Sequence, residues 1–526
     1  MKQIAVVLAA FSVAALACSG GGSKSSPPQG VGAETPIEEP AAEVESPAPE
    51  VLSAAERGED VLPEALEMNS SKFAPPPTTY RKGHVSPRRI SKKALTRRTN
   101  GFEIKLPNGS PVATPAIYKG KLITGGGFRS KQLFAFAAET GEMIWGLNLD
   151  DDGPSAPACD DDVCVVNTES CTVFAVDANT GKMLWSWWLG DPLVSAPTIA
   201  NGVVYVSYPP TGGKYPKGTG GKSRPPNASH VLGAFDLKSG QIMWQKWIDS
   251  DVMSAPVAVD GELFATSFNG TVYKLDGKTG KLLSARRDRA TSAPVVVGKN
   301  VFYTQRAEAK GAAVALEGIA SVGRDKGKKA WVRAKKTAKH IDKHVQAKTE
   351  YSVSSQADDA ANGFGGGAPA AAKSDLALEN VGTKSVSSMQ SFQGSRILNS
   401  GGANYNCMGD EVIATDAKTG TKLWSYKLKG NVAKQGGFLG APPIDAKVAL
   451  LVGTLAGEVL EMDPKSGAVT RTYKVGRPIR SQPVVANGWI YIGTADGRLV
   501  AINTGKQKLH GWAMWGGNAQ RTGVAN

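Results

Sequence analysis

The chain has 526 residues, more than one ordinary domain of about 150, and its 41% hydrophobic share is enough for a sizeable core. The 61 glycines exceed the usual ~7% and favour the tight turns of an all-β architecture over a helix bundle. The net charge of +14 is that of a nucleic-acid binder only until its distribution is read. Residues 33–67 carry eleven acids against Arg57 alone, residues 81–98 eight bases and no acid, and residues 324–348 ten bases and two acids. Charge gathered in blocks of this kind belongs to solvated tails or contact arms rather than to a basic domain.

In chain order, residues 1–17 read as a secretory signal: Met1-Lys2, a short apolar core, then Ala15-Leu16-Ala17 before Cys18. The placement of Cys18 resembles the lipidation site of bacterial lipoproteins. That resemblance implies an acylated cysteine at the mature N-terminus, and Ser19 after it favours the outer membrane. An export signal also argues against a nucleic-acid partner. Residues 18–100 are rich in Gly and Ser, then Pro, Ala and Glu, then basic residues. They read as a disordered tether, because such a composition cannot bury enough apolar surface to fold.

From residue 101 to 526 a unit recurs: a strand, a small residue, Asp, two residues, Thr or Ser with Gly, three residues, Trp. It stands as Ala175, Asp177, Gly181 and Trp185; as Ala234, Asp236, Gly240 and Trp244; and as Ala414, Asp416, Gly420 and Trp424. Looser copies hold Gly141 with Trp145, Asp276 with Gly280, and Asp463 with Gly467; Arg324 to Trp331 is degenerate, and Asn503-Thr504-Gly505 is shortened. A second landmark, Ser-Ala-Pro or a close variant, follows each Trp by about twelve residues, as at Ser195-Ala196-Pro197 and Ser254-Ala255-Pro256. Spacing between the repeated glycines is near 40 once insertions at about 211–230 and 332–384 are removed. A period of 40 with four strands per unit predicts a β-propeller of eight four-stranded antiparallel blades. Phe102–Leu106 sits where a Trp-bearing strand belongs, so it is expected to complete the last blade and remove the ring's open edge.

These repeats resemble the pyrroloquinoline-quinone (PQQ)-type propeller repeat, whose docking consensus is A-x-D-x-x-T-G-x-x-x-W. Trp512 to Gly523 looks like a terminal motif common in that family. With a lipidated start, the whole is similar to the family's lipoproteins of the outer membrane. The resemblance implies a non-catalytic scaffold, anchored by lipid and facing the periplasm. It further implies a monomer within a complex that supports β-barrel protein assembly, with the barrel-assembly core subunit as partner. Within the family the alternatives are a PQQ-dependent oxidoreductase and a propeller that binds cell-wall polysaccharide. The enzyme reading lacks the paired adjacent cysteines that such enzymes carry, so neither PQQ nor calcium is expected, and no catalytic residue is assigned.

Other chemistry is sparse. Cys159 and Cys164 flank a turn and are expected to face each other across a hairpin, as a disulfide or as buried thiols. Asp150–Asp152 and Asp160–Asp162 read as polar surface turns rather than calcium ligands. His340 and His344 stand four apart in a stretch read as a solvated basic helix, where lysine neighbours repel a metal. The basic insertion, with Lys328, Lys329, Arg333, Lys335, Lys336, Lys339 and Lys343, is a candidate docking arm for an acidic surface.

Overall fold

The computed structural model describes residues 62–70, 72–73, 83–168, 172–189, 195–209, 224–308, 315–325, 329–335, 397–431 and 439–524. Cys18, Cys171, the stretch 336–384 with Lys336, Lys339, Lys343, His340 and His344, and Lys328 lie outside them, as does most of the insertion at 211–230.

Eight antiparallel sheets follow one another along the chain. Blades 1 to 7 span 116–149, 158–188, 198–248, 257–287, 295–335, 398–427 and 444–474. Their innermost strands are short, such as Ala116–Tyr118 and Thr198–Ala200, and successive innermost strands abut around an axis. Blade 8 is composite: Val484–Ala486, Trp489–Gly493 and Arg498–Asn503 are completed by Gly101–Lys105 from the other end of the chain. A strand that precedes blade 1 is thus hydrogen-bonded to the last strand of the ring, Phe102 opposite Ala501. Glu103, 8% exposed, accepts from both Arg98 and Arg498 and pins the seam.

The expected tether is more structured at its C-terminal end than its composition implies. Leu95–Arg98 adds a fifth strand to blade 8, and Val85–Pro87 pairs with the outer strand of blade 1, Val85 opposite Leu149. Further back, a short helix at Pro63–Met68 buries Ala65 and Met68 in the hydrophobic cluster that runs through blades 1 to 4. Asn69 beyond it both donates to and accepts from the backbone of Trp247, at 3.1 Å each way. Low-complexity sequence can dock here because an exposed sheet edge offers backbone partners to any extended chain, whatever its side chains.

A second correction concerns the basic insertion. Residues 333–335, expected to open the basic helix, instead continue the Trp331 strand: Lys329–Lys335 is the outer strand of blade 5, paired with Ala315–Gly323. Lys329, Arg333 and Lys335 therefore belong to the propeller's rim. An outermost strand is paired on one side only, which is why it tolerates charge that would be costly in a central strand. The insertion at 211–230 likewise ends inside blade 3, whose third strand opens at His230.

Candidate functional site: blade junctions and the central channel

Each blade meets the next through one repeated device. A register shift in the outer hairpin falls just after the small residue of the repeat, so that Ala175 lies opposite Trp185, Ala234 opposite Trp244 and Ala414 opposite Trp424. The alanine leaves room for the indole, which reaches into the following blade. There its Nε1–H donates to a turn carbonyl: Trp145 to Ala178 (3.1 Å), Trp185 to Leu237 (2.8 Å), Trp244 to Gly277 (2.9 Å) and Trp424 to Pro464 (2.9 Å). The indoles are 5–9% exposed, so burial supplies most of the energy and the hydrogen bond sets direction.

The receiving turn is shaped by Asp and Thr or Ser. In blade 2, Asp177 Oδ1 accepts from the backbone N–H and the hydroxyl of Thr180, at 2.8 and 2.7 Å. Ser239 does the same for Asp236, Thr279 for Asp276, Thr419 for Asp416 and Ser466 for Asp463. These bonds to the ionised form hold all five carboxyls below the usual Asp range. The glycine that follows must take positive φ, +73° at Gly181 and +70° at Gly240, and its bare Cα lies on the indole face. A Cβ on Gly240 would fall 2.6 Å from Trp185. Gly280 and Gly467 meet Trp244 and Trp424 in the same way. Gly420 has the same conformation, with φ +71°.

Apart from blade 8, where Phe102 takes the indole's place under Gly141, two junctions depart from the rule. Blade 4 has Ser284 where the tryptophan belongs, opposite Lys274 instead of alanine. Blade 7 has Arg471 opposite Glu461. In both the turn carbonyl is still bonded, to Lys274 Nζ at Arg324 O (3.2 Å) and to Arg471 Nη1 at Thr504 O (3.4 Å). Glu461 is 5% exposed and is held by Lys506 (2.7 Å) and Tyr473 (2.7 Å). Burial pushes its carboxyl up, but the Lys506 and Tyr473 bonds win and leave it below the usual range.

The central channel is occupied by the chain's own C-terminal segment. Trp512 bonds the innermost strand of blade 8 at Val485, Ala513 O accepts from Ile117 in blade 1, Ala519 O from Ile199 in blade 3, Gln520 O from Ala258 in blade 4 and Gly523 O from Asn399 in blade 6. Arg521 is fully buried, and its guanidinium donates to Trp515 O (2.6 Å), Ala156 O (3.1 Å) and Pro197 O (3.2 Å). Trp515, also fully buried, packs with Ala156, Ala196 and Ala255. The Ser-Ala-Pro landmark thereby acquires a reason, since its small central residue makes space on the axis for this indole. Gln482 completes the plug, its Oε1 accepting from Trp512 Nε1 (3.2 Å) and Gly516 N (2.9 Å). Family resemblance singled out the terminal motif that contains Arg521, and the landmark series contained Gln482, but neither residue's role was legible, because it depends on convergence from blades far apart in the chain.

Cys159 and Cys164 are directly opposed across the first hairpin of blade 2 and joined by a disulfide, with Cα atoms 4.1 Å apart. Cys407 is a buried free thiol, pushed well above its ordinary range by burial. The acidic turns are engaged by other groups. Asp150 accepts from His84 N, Asp151 from Thr168, while Asp161 and Asp162 pair with Lys238 (2.9 Å) and Lys119 (2.7 Å). Among the described residues no cluster of three or more His, Cys, Asp or Glu side chains is placed to hold a metal, and no helix is long and apolar enough to cross a membrane.

Eight four-stranded blades with an Asp/Thr-Gly turn over each incoming tryptophan define a propeller of the PQQ-repeat class. The chain belongs to the family described as outer membrane protein assembly factor BamB, which matches residues 129–213, 228–371 and 409–516, more than half of its length. Among solved structures it is similar to BamB from Moraxella catarrhalis (18% identity, TM-score 0.50, covering 78% of this chain and 99% of that one). It is also similar to the computationally designed Ika8 protein (14%, 0.47, 76% and 98%) and to the quinohemoprotein alcohol dehydrogenase ADHIIG from Pseudomonas putida HK5 (13%, 0.47, 78% and 76%). No curated protein matches at the level of sequence.

Proposed function

We propose that this chain is a non-catalytic interaction scaffold of the outer membrane, held by acylation of Cys18 and facing the periplasm, and that it supports assembly of β-barrel proteins by binding the barrel-assembly core subunit. Membership of the family named for BamB supports the assembly role. The observation that carries the non-catalytic reading is the channel. On the axis, where blades converge and a planar quinone would have to lie, Trp515 and Arg521 are fully buried and bonded to blades 2 and 3. The residues present there do not fit PQQ.

The test is an in-cell crosslink and affinity recovery of the tagged full-length protein, read by mass spectrometry. Enrichment of the barrel-assembly core subunit is expected, together with an acylated N-terminal peptide beginning at Cys18. Recovery of neither the subunit nor its accessory lipoproteins would defeat the assembly role. A stoichiometric quinone absorbance in the purified protein would defeat the non-catalytic one.

A further inference from the structure

The junction between blades 4 and 5 keeps the polar half of the docking device and lacks the apolar half. Ser284 stands at the tryptophan position, and Lys274 takes over the bond to the turn carbonyl. At the position of the missing indole is a cavity of about 180 Å³, lined on one part by the apolar Phe264, Val272 and Val301 and on another by the buried polar groups of Arg286, Asp288 and Tyr303. Phe264, Val301 and Val322 are no more than 4% exposed, whereas Leu283 at the mouth is 39% exposed. Lys274 Nζ and Arg324 Cζ lie 5.9 and 6.0 Å from the centroid of the Phe264 ring. Both cations are fixed by Glu262, at 2.8 and 2.7 Å. A mixed lining with an apolar flank and two oriented cations complements an indole, whose ring face is electron-rich and whose N–H seeks an acceptor.

We propose that this cleft docks a tryptophan side chain presented by a partner polypeptide, seated where the preceding junction holds Trp244. The size of the gap and its cations select an indole over an aliphatic side chain. The indole must come from another molecule, because all 11 tryptophans of this chain lie on described strands or in the C-terminal plug. At blade 7 the equivalent position is taken by Arg471, whose guanidinium sits 5.0 Å from the Tyr473 ring, so the two irregular junctions are not alike. The proposal rests on the scaffold reading, and a buried tryptophan is the residue type most enriched among anchors of protein interfaces.

The probe is 5-fluoro-N-acetyltryptophanamide, titrated into the full-length protein and followed by fluorine NMR. Saturable binding is expected, weakened at least tenfold in Ser284→Trp, which fills the cleft from within and raises the melting temperature. Val301→Phe, which narrows the same cavity from the far wall, gives the second arm should Ser284→Trp not fold. Absence of saturation, or equal binding in both variants, overturns the proposal. So does binding of free 5-fluoroindole without the amide analogue, which would make the site one for a small molecule. Loss of barrel-assembly partners with probe binding intact counts against the scaffold reading alone, and the reverse result against the cleft alone.

Discussion

Blades 2 and 3 meet through an indole, and blades 4 and 5 through an ammonium. In the first junction Trp185 lies under Gly240, opposite Ala175, and donates to Leu237 O. In the second Ser284 lies opposite Lys274, which donates to Arg324 O. The constant element is the bonded carbonyl, since a buried polar group left unpaired is costly. The variable element is the apolar filling, which most junctions supply from within and this one does not. A junction can therefore lose its indole while its turn carbonyl stays bonded.

The harshest way to break the contrast is to remove an indole where it is used. Trp185→Ala should lose ~3–5 kcal/mol, the usual cost of deleting a large buried aromatic, as a lower denaturant midpoint. An unchanged midpoint would mean that the indoles do not seal the blades.

The sealed arc also carries a titrating group absent from the open junction. His230 on blade 3 is fully buried beside Ser229, and burial, with Arg224 adding to it, pushes its imidazole down from 6.5 to about 3. The unfolded chain then takes up a proton near pH 6.5 that the folded one refuses until about pH 3. Stability is complete above 6.5 and falls as pH drops through that window, by about 1.4 kcal/mol per unit from this group. Unfolding free energies from urea melts at pH 7 and pH 5 should differ by about 2 kcal/mol in the wild type and converge in His230→Gln. The Asp turns, depressed below the usual carboxylate range, begin to add their own loss only at lower pH.

A gentler comparison uses two glycines of equal conformation. Gly240 and Gly505 have φ of +70° and +73°, but a Cβ would strike Trp185 at the first and meet nothing within 4 Å at the second. Both alanine variants carry the left-handed penalty of about 1 kcal/mol. Gly240→Ala should cost ~1–3 kcal/mol more for the overpacked indole, visible as the difference between their melting curves. Equal losses would remove the indole from the account. The smallest effect is expected of Lys274→Met, about 1–2 kcal/mol for the lost bonds to Arg324 O and to Glu262, since Glu262 keeps its Arg324 partner.

The eight blades were legible because the turn needs glycine at positive φ every 40 residues or so, and composition cannot disguise that demand. The closing strand at 101–105 was legible for the same reason, since Phe102 holds a tryptophan's place. The added strands at Val85–Pro87 and Leu95–Arg98 were not, because edge pairing is made by backbone atoms and leaves no side-chain period. Residues 333–335 misled because a rim strand can be as charged as a solvated helix, whereas Trp331 just before them marked the strand. At the junctions sequence gave the positions, and the absence of Trp at 284 and 471 was visible. It did not show that Lys274 would take over the carbonyl at one and Arg471 at the other, because that depends on which side chains face each other after the register shift.

The composite blade and the channel plug give this fold a direction in time. Glu103 and Arg498, joined across the seam, are 395 residues apart, and the axis is filled by residues 512–524. Blades 1 to 7 can zip from local hairpins as the chain emerges, but the ring cannot shut, nor its axis fill, before the last residues arrive. Such distant pairing is slow, and until it forms the waiting arc shows unpaired strand edges. A product ending a dozen residues early would fail at its centre, not at its end, with Trp515 and Arg521 gone from between the blades they bridge.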